Sequence, residues 1–251
     1  MNTKTNNFKS KEILIGIPVF NSANALPDLL KEINHENILQ IADIVMIDNC
    51  SSDESVSLLT LMAKQEGVRI FQNLSNIGLG GSQKTIFNLA KDQEYKYVCI
   101  LHSDLQPTVS DLMLSIETIR SNDFDAVLGS RFKTGSVRIN YSTVRFLGNI
   151  VLLFIFTIRF RRVIYDLGSG LNCYITSKLP RYNDLPNNLS FNCNLLVRQI
   201  KNRNSLYWQP ISWREGVAPS SLKPFRLFLQ SILSMFNIFA KGKPAENPKL
   251  L

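Results

Sequence analysis

Apolar positions cluster in short runs along the first half of the chain: ILIGIPVF from Ile13, IADIVMID from Ile41, VRIF from Val68, YKYVCIL from Tyr95 and FDAVLGS from Phe124. Their starts are 27 to 29 residues apart, and the intervals hold helix-like stretches such as DESVSLLTLMAKQEG and SQKTIFNLAKD. Near-continuous apolar runs that alternate with helical patterns predict strands buried on both faces of a mainly parallel sheet, and so an α/β fold. Asp53 is placed to cap the helix after the second strand. Thr108 with Asp111 has the spacing of a capping box ahead of the helix after the fourth. Ligands of open α/β sheets bind beyond the carboxyl ends of the strands. The segments of interest are therefore PVFN, DNCSSD, NIGLGGS, HSDLQP and GSRF.

The rhythm breaks after Arg131. Two uncharged runs follow, FLGNIVLLFIFTI of 13 residues and LFLQSILSMFNIFA of 14. Each is shorter than the ~20 residues that cross a bilayer. They read either as core helices or as helices lying in a membrane interface. In the second, Gln230, Ser234 and Asn237 form a narrow polar stripe beside a wide apolar face. The last ten residues, GKPAENPKLL, read as a loose tail.

Charge sharpens this division. The chain of 251 residues carries +8 overall, but residues 1–125 hold 10 Lys/Arg and 16 Asp/Glu, whereas residues 126–251 hold 18 and 4. A basic half suits an anionic partner: a phosphorylated ligand, a lipid head group or nucleic acid. No RNP-like or helix-turn-helix pattern supports nucleic acid. The four cysteines form no CxxC pair and there are two histidines, which argues against a zinc site or a disulfide framework. MNTKTNNFKSKE lacks the apolar core of a secretory signal, so the expected location is cytoplasmic, with attachment to the inner face of the membrane open.

Singly, the chemical signals are modest. Asp104 follows a strand, where a carboxylate can ligate a hard cation, with Gln106 as a neutral oxygen donor; a solvated turn carboxylate looks the same. Gly78, Gly80 and Gly81 fit neither GxGxxG nor GxxxxGK[ST]. They offer backbone for phosphate approach or a plain turn.

The order of the set is more specific. PVFN, IDNCSSD, NIGLGGSQ, HSDLQP, GSRF and a later DLGSG together resemble the inverting family 2 glycosyltransferases of GT-A fold, and most of all the dolichyl-phosphate mannose synthase, or polyprenyl-phosphate sugar transferase, branch. The resemblance covers roughly residues 11 to 175. It implies a GT-A fold, a mainly parallel sheet flanked by helices, with a Rossmann-like nucleotide half at 11–130 and an acceptor half at 131–222. Residues 1–10 would form a flexible N-terminus, and 223–251 an amphipathic helix and tail.

By the same resemblance, Pro18 and Asn21 line the nucleotide pocket, Asp48 and Asn49 read base and ribose, and Asn76, Gly78 and Gly81 close over the nucleotide. Asp104 is the principal ligand of Mg²⁺ or Mn²⁺, joined by Gln106. Arg131 is expected near donor or acceptor phosphate, and Arg145 and Asp166 match the later arginine and the DxxSG aspartate. Asp104 and Arg131 are the catalytic candidates.

Several positions depart from the family pattern. His102 stands where an Asp is usual, removing one negative charge from the metal site while leaving a nitrogen that can ligate or hydrogen-bond. Asn49 and Cys50 replace Asp-Gly, and Ser22 stands where Glu is frequent. Asn192 and Asn194 stand where enzymes acting on sugar hydroxyls commonly place an acidic base. The implied donor is a nucleotide-sugar, and the implied acceptor is polyprenyl phosphate at the membrane surface. Two alternatives remain: a saccharide hydroxyl in O-antigen or capsule assembly, which needs a base from among Asp166, Asp184 and Glu215, or a catalytically decayed nucleotide- or nucleic-acid-binding protein.

Overall fold

The computed structural model describes residues 11–62, 68–215, 224–236, 238–245 and 247–251. The expected N-terminal segment 1–10, the boundary at Lys223 and the polar-stripe residue Asn237 lie outside these residues.

The five apolar runs form β1 (Ile13–Val19), β2 (Asp43–Asp48), β3 (Val68–Gln72), β4 (Tyr97–Leu101) and β5 (Ala126–Ser130). Between them lie α1 (Leu26–His35), α2 (Ser55–Met62), α3 (Gly78–Asp92) and α4 (Val109–Ser121). The capping box forms: Thr108 Oγ1 accepts from the Asp111 amide at 3.1 Å and the Asp111 carboxylate accepts from the Thr108 amide at 3.3 Å. Asp53 accepts from the amides of Ser55 and Ala23, tying the α2 start to the β1–α1 loop.

The second half supplies β6 (Val137–Ile139), α5 (Thr143–Phe160), β7 (Leu171–Ile175), α6 (Phe191–Lys201), β8 (Leu206–Pro210), β9 (Ser212–Arg214), α7 (Pro224–Met235) and β10 (Lys249–Leu250). One sheet runs β10-β3-β2-β1-β4-β7-β5-β8, with a small β6-β9 pair beside it. Pairings among β1–β4 and between β5 and β8 are parallel, whereas β7 lies antiparallel between β4 and β5. Inside the sheet the parallel run is thus interrupted at β7, where β4 and β5 deliver their loops, and β10 adds an antiparallel strand at the β3 edge. One core fills each face, around Phe87, Tyr174 and Phe191 on one side and Leu26, Leu29 and Leu112 on the other.

The loose tail expected at the C-terminus is corrected. Lys249 and Leu250 pair antiparallel with Gln72 and Phe71, and the Leu251 amide donates to Ile70 O at 2.9 Å. The edge of β3 offered unpaired backbone groups, and the tail satisfies them. The first uncharged run also differs from a plain core helix. α5 has 18 residues, about 27 Å at 1.5 Å per residue. Leu152, Leu153 and Phe156 face the core, while Val144, Leu147, Val151, Phe154 and Ile158 stay exposed. By length and composition alone α5 could cross a membrane, with only 17% of it buried. The helix α7 packs on α5 and α6; Ser234 of the supposed polar stripe is buried, its hydroxyl donating to Gln230 O, while Leu229 is exposed.

Candidate active site

The ends of β1 and β2 and the start of α3 form one polar cluster. Pro18 is buried in β1 opposite Ile47. Asn21 has φ 49° and its Oδ1 accepts from the Ser52 amide at 2.8 Å. Asp48 is the last paired residue of β2 and is wholly buried; its carboxylate accepts from the Ser51 amide at 3.3 Å and from Gln72 Nε2 at 3.0 Å. Asn49 accepts from the Ile77 amide and Asn73 Nδ2, and donates through Nδ2 to Asn76 Oδ1 at 2.8 Å. Asn76 Oδ1 also accepts from the Gly78 amide. An amide at position 49 can both donate and accept, so it braces the Asn76–Gly78 turn on two sides, which a carboxylate could not.

The glycine segment is not an open phosphate loop. Gly80 and Gly81 lie in the first turn of α3, and both their amides donate to Asn187 O, at 2.8 and 3.3 Å. A Cβ on Gly80 would come within 2.6 Å of Pro186 O. These glycines admit the backbone of residues 186–187.

At the end of β4, Asp104 is exposed, and its Oδ1 accepts from the Gln106 amide at 3.2 Å. Gln106 O accepts from the Arg214 amide, and a cleft of about 320 Å³ opens beside this loop, lined by Glu32, Leu105, Gln106, Thr108, Trp213 and Arg214. Ser103 Oγ lies 2.8 Å from Ser22 Oγ, joining this loop to the β1 end. His102 sits against Gly170, whose φ of +78° and lack of Cβ leave room for the imidazole. His102 Nε2 is buried with no hydrogen-bond partner, and burial holds the ring's pKa below its usual value, so it is neutral.

Among the described residues no three His, Cys, Asp or Glu side chains converge as a metal cage. One exposed carboxylate beside a neutral side-chain oxygen fits a hard cation such as Mg²⁺ or Mn²⁺, which proteins commonly hold through one or two carboxylates. Of the three candidate ligands, Asp104 is the exposed one; His102 is half-buried against Gly170 with its Nε2 enclosed.

The β7 insertion brings that turn between the ends of β4 and β5. Arg131 and Asp166 meet there as a buried bidentate pair, Nε to Oδ2 at 2.9 Å and Nη2 to Oδ1 at 2.7 Å, with the Arg131 amide also donating to Oδ2. Burial alone would lower the guanidinium pKa, but the Asp166 charge and hydrogen bonds outweigh it and raise it. The guanidinium also lies 4.8 Å from the Trp213 ring centre. Arg131, implied to sit at a phosphate, is thus committed to Asp166. Arg145 forms an ion pair with Glu215 instead of joining this cluster. Asp184 is held by Arg198 through two 2.7 Å hydrogen bonds, which push its pKa down to about 2. Sequence reasoning missed Trp213, Gly170 and Asn187; the isolated Trp in QPISWR and the second glycine of DLGSG were the available signals.

The mixed sheet flanked by helices is a GT-A fold, and comparison with known proteins supplies the family. The Glycosyl transferase family 2 profile matches residues 14–177, and the chain belongs to that family; it is a glycosyltransferase. It is similar to the uncharacterized protein MJ1222 of Methanocaldococcus jannaschii, with 27% identity over 173 residues, 69% of this chain and 68% of the relative. In fold it is similar to glucosyl-3-phosphoglycerate synthase from Mycobacterium tuberculosis in complex with Mn²⁺, UDP and glucosyl-3-phosphoglycerate, at TM-score 0.68 and 12% identity over 91% of this chain and 80% of that one. It is similar also to S. aureus TarS in complex with UDP-GlcNAc, at TM-score 0.58 and 17% identity over 88% and 66%.

Proposed function

We propose that the protein transfers a sugar from a nucleotide-sugar to an acceptor that is already an anionic nucleophile, a polyprenyl phosphate at the membrane surface. The observation that carries this reading is the state of the candidate bases. Asp166, Asp184 and Glu215 are each held in an ion pair with arginine. The remaining carboxylate of residues 126–251, Glu246, lies outside the described residues. A carboxylate neutralised by a guanidinium is a poor proton acceptor, whereas a phosphate oxygen needs no base.

In this reading the Asn21, Asp48, Asn49 and Asn76 cluster borders the nucleotide, and Asp104, with Gln106 beside it, would hold the Mg²⁺ or Mn²⁺ ion. The cation, when bound, neutralises charge on the departing nucleoside diphosphate. An acceptor phosphate oxygen attacks the anomeric carbon as the bond to the diphosphate breaks, so the new glycosyl phosphate has inverted configuration. The Arg131–Asp166 pair holds the 166–170 turn between metal loop and acceptor side. The mycobacterial glucosyl-3-phosphoglycerate synthase, similar in fold, is bound to a phosphorylated sugar product, which is compatible with an anionic acceptor here.

The exposed stripe of α5 supports a membrane-borne acceptor at the inner face. Val144, Leu147, Val151, Phe154 and Ile158 recur every three or four residues, and the exposed Arg159, Arg161 and Lys201 stand at one end of the stripe. Apolar side chains flanked by cations suit an anionic bilayer interface. The second reading, a saccharide hydroxyl in surface-polysaccharide assembly, would need one of the three ion pairs to open. Turnover of a panel of nucleotide-sugars with polyprenyl phosphate and with neutral glycans separates the two: product with the phosphate alone supports the proposal, and efficient neutral-glycan transfer overturns it.

A further inference from the structure

Lys84, on α3, is completely buried, and among the described residues no carboxylate forms an ion pair with it. Its ammonium, with three protons, lies within hydrogen-bond distance of four oxygens: Leu185 O and Asn187 Oδ1 at 2.6 Å, Lys243 O at 2.9 Å and Asn183 O at 3.0 Å. Burial draws its pKa down to about 8, opposed by the charge of Asp184 and assisted by that of Arg198. A buried ammonium held by neutral oxygens is costly, and an apolar side chain would fill the same helix position without that cost. What the ammonium does, and a methyl group cannot, is join three stretches of backbone that are remote in sequence.

Those stretches touch the site on two sides. Asn187 gives its side chain to Lys84 and its carbonyl to the amides of Gly80 and Gly81. A Cβ on Gly78 would lie 2.5 Å from Asn187 O, so residues 187 and 78 are in direct contact. The segment continues through Ser190 into α6, where Asn192 packs against Gly168 of the Asp166 turn. From the other direction, the Gly242 amide donates to Asp184 O at 3.1 Å, seating the C-terminal segment on the same cage before it pairs with β3 as β10.

We propose that Lys84 is a positioning residue for donor binding: by holding Asn187 and the Gly242–Lys243 strap together, it sets the N-terminal turn of α3, and so makes the seating of the C-terminal strap a determinant of nucleotide affinity. The proposal rests on the reading above that the Asn76–Gly81 turn borders the nucleotide. Lys84 itself does not touch substrate.

The test uses the full chain and three variants, Lys84→Met, Asn187→Ala and Gly242→Ala. The last leaves Lys84 intact and adds one methyl group that would collide with Leu185 O and the ammonium, so it remains informative if Lys84→Met does not fold. Amide hydrogen exchange at residues 76–81 is expected to rise by about tenfold while β1 and β4 stay protected. Affinity for UDP or GDP with Mn²⁺, measured by calorimetry, is expected to fall roughly fivefold, with kcat at saturating donor little changed. Unchanged exchange at 76–81, or lowered stability with unchanged nucleotide affinity, would overturn the proposal. A wild-type protein that binds no nucleoside diphosphate would instead count against the donor reading, and the exchange measurement would still decide whether the cage governs the turn.

Discussion

Arg131 and Asp166, 35 residues apart in sequence, share two side-chain hydrogen bonds of 2.7 and 2.9 Å in a place where Asp166 has no solvent contact and Arg131 almost none. The pair joins the end of β5 to the turn that enters β7. Removing one partner leaves a buried charge uncompensated, which typically costs about 3–5 kcal/mol. Asp166→Ala and Arg131→Met should each destabilise the protein by that order in urea unfolding. The double variant should lose clearly less than the sum of the two; additive losses would mean that the ions do not act as a pair.

Asp104 is the carboxylate left open on the β4 loop. Asp104→Ala should lower kcat by at least about a hundredfold, corresponding to roughly 3 kcal/mol of barrier. EDTA should have a similar effect on the wild type, reversed by Mn²⁺ or Mg²⁺. Full turnover in EDTA would remove the metal from this loop.

The Asp184 carboxyl, held near pKa 2 by Arg198 against a usual value of 3.8, contributes stability that is present above about pH 4 and is lost as the pH falls towards 2. It is a quarter exposed, so solvent screening reduces the contribution to about 1–2 kcal/mol. Asp184→Asn should therefore destabilise at pH 6, and the gap from wild type should close by pH 2. A gap that is constant across this range would assign the loss to packing.

If α5 lies in a membrane interface, Val151→Glu and Phe154→Glu should fold normally, because both side chains are exposed, yet lose co-sedimentation with phosphatidylglycerol vesicles. Binding of the wild type should weaken with salt, each cation at the surface contributing about 1 kcal/mol. Equal sedimentation of variants and wild type would move the contact elsewhere.

What the amino-acid sequence determined by itself was what neighbouring residues decide among themselves. The apolar runs that became β1 to β5 are continuous because both sheet faces are covered, and Thr108 with Asp111 cap α4 through a contact three residues long. The motif order likewise singled out Asn21, Asp48, Asn49, Asn76 and Asp104, which the fold sets at strand ends or the turns beside them. Only the tertiary structure decided the rest. Nothing in LNCYI says that it enters antiparallel between β4 and β5, and that insertion is what carries Asp166 to Arg131 and Gly170 to His102. The cage of Lys84 spans 99 to 159 residues of chain, and the tail that reads as polar and loose is ordered by an unfilled sheet edge. Periodicity and capping report interactions within a few residues, whereas a buried ion, an edge pairing or an uncovered apolar face depends on which distant segment arrives beside it.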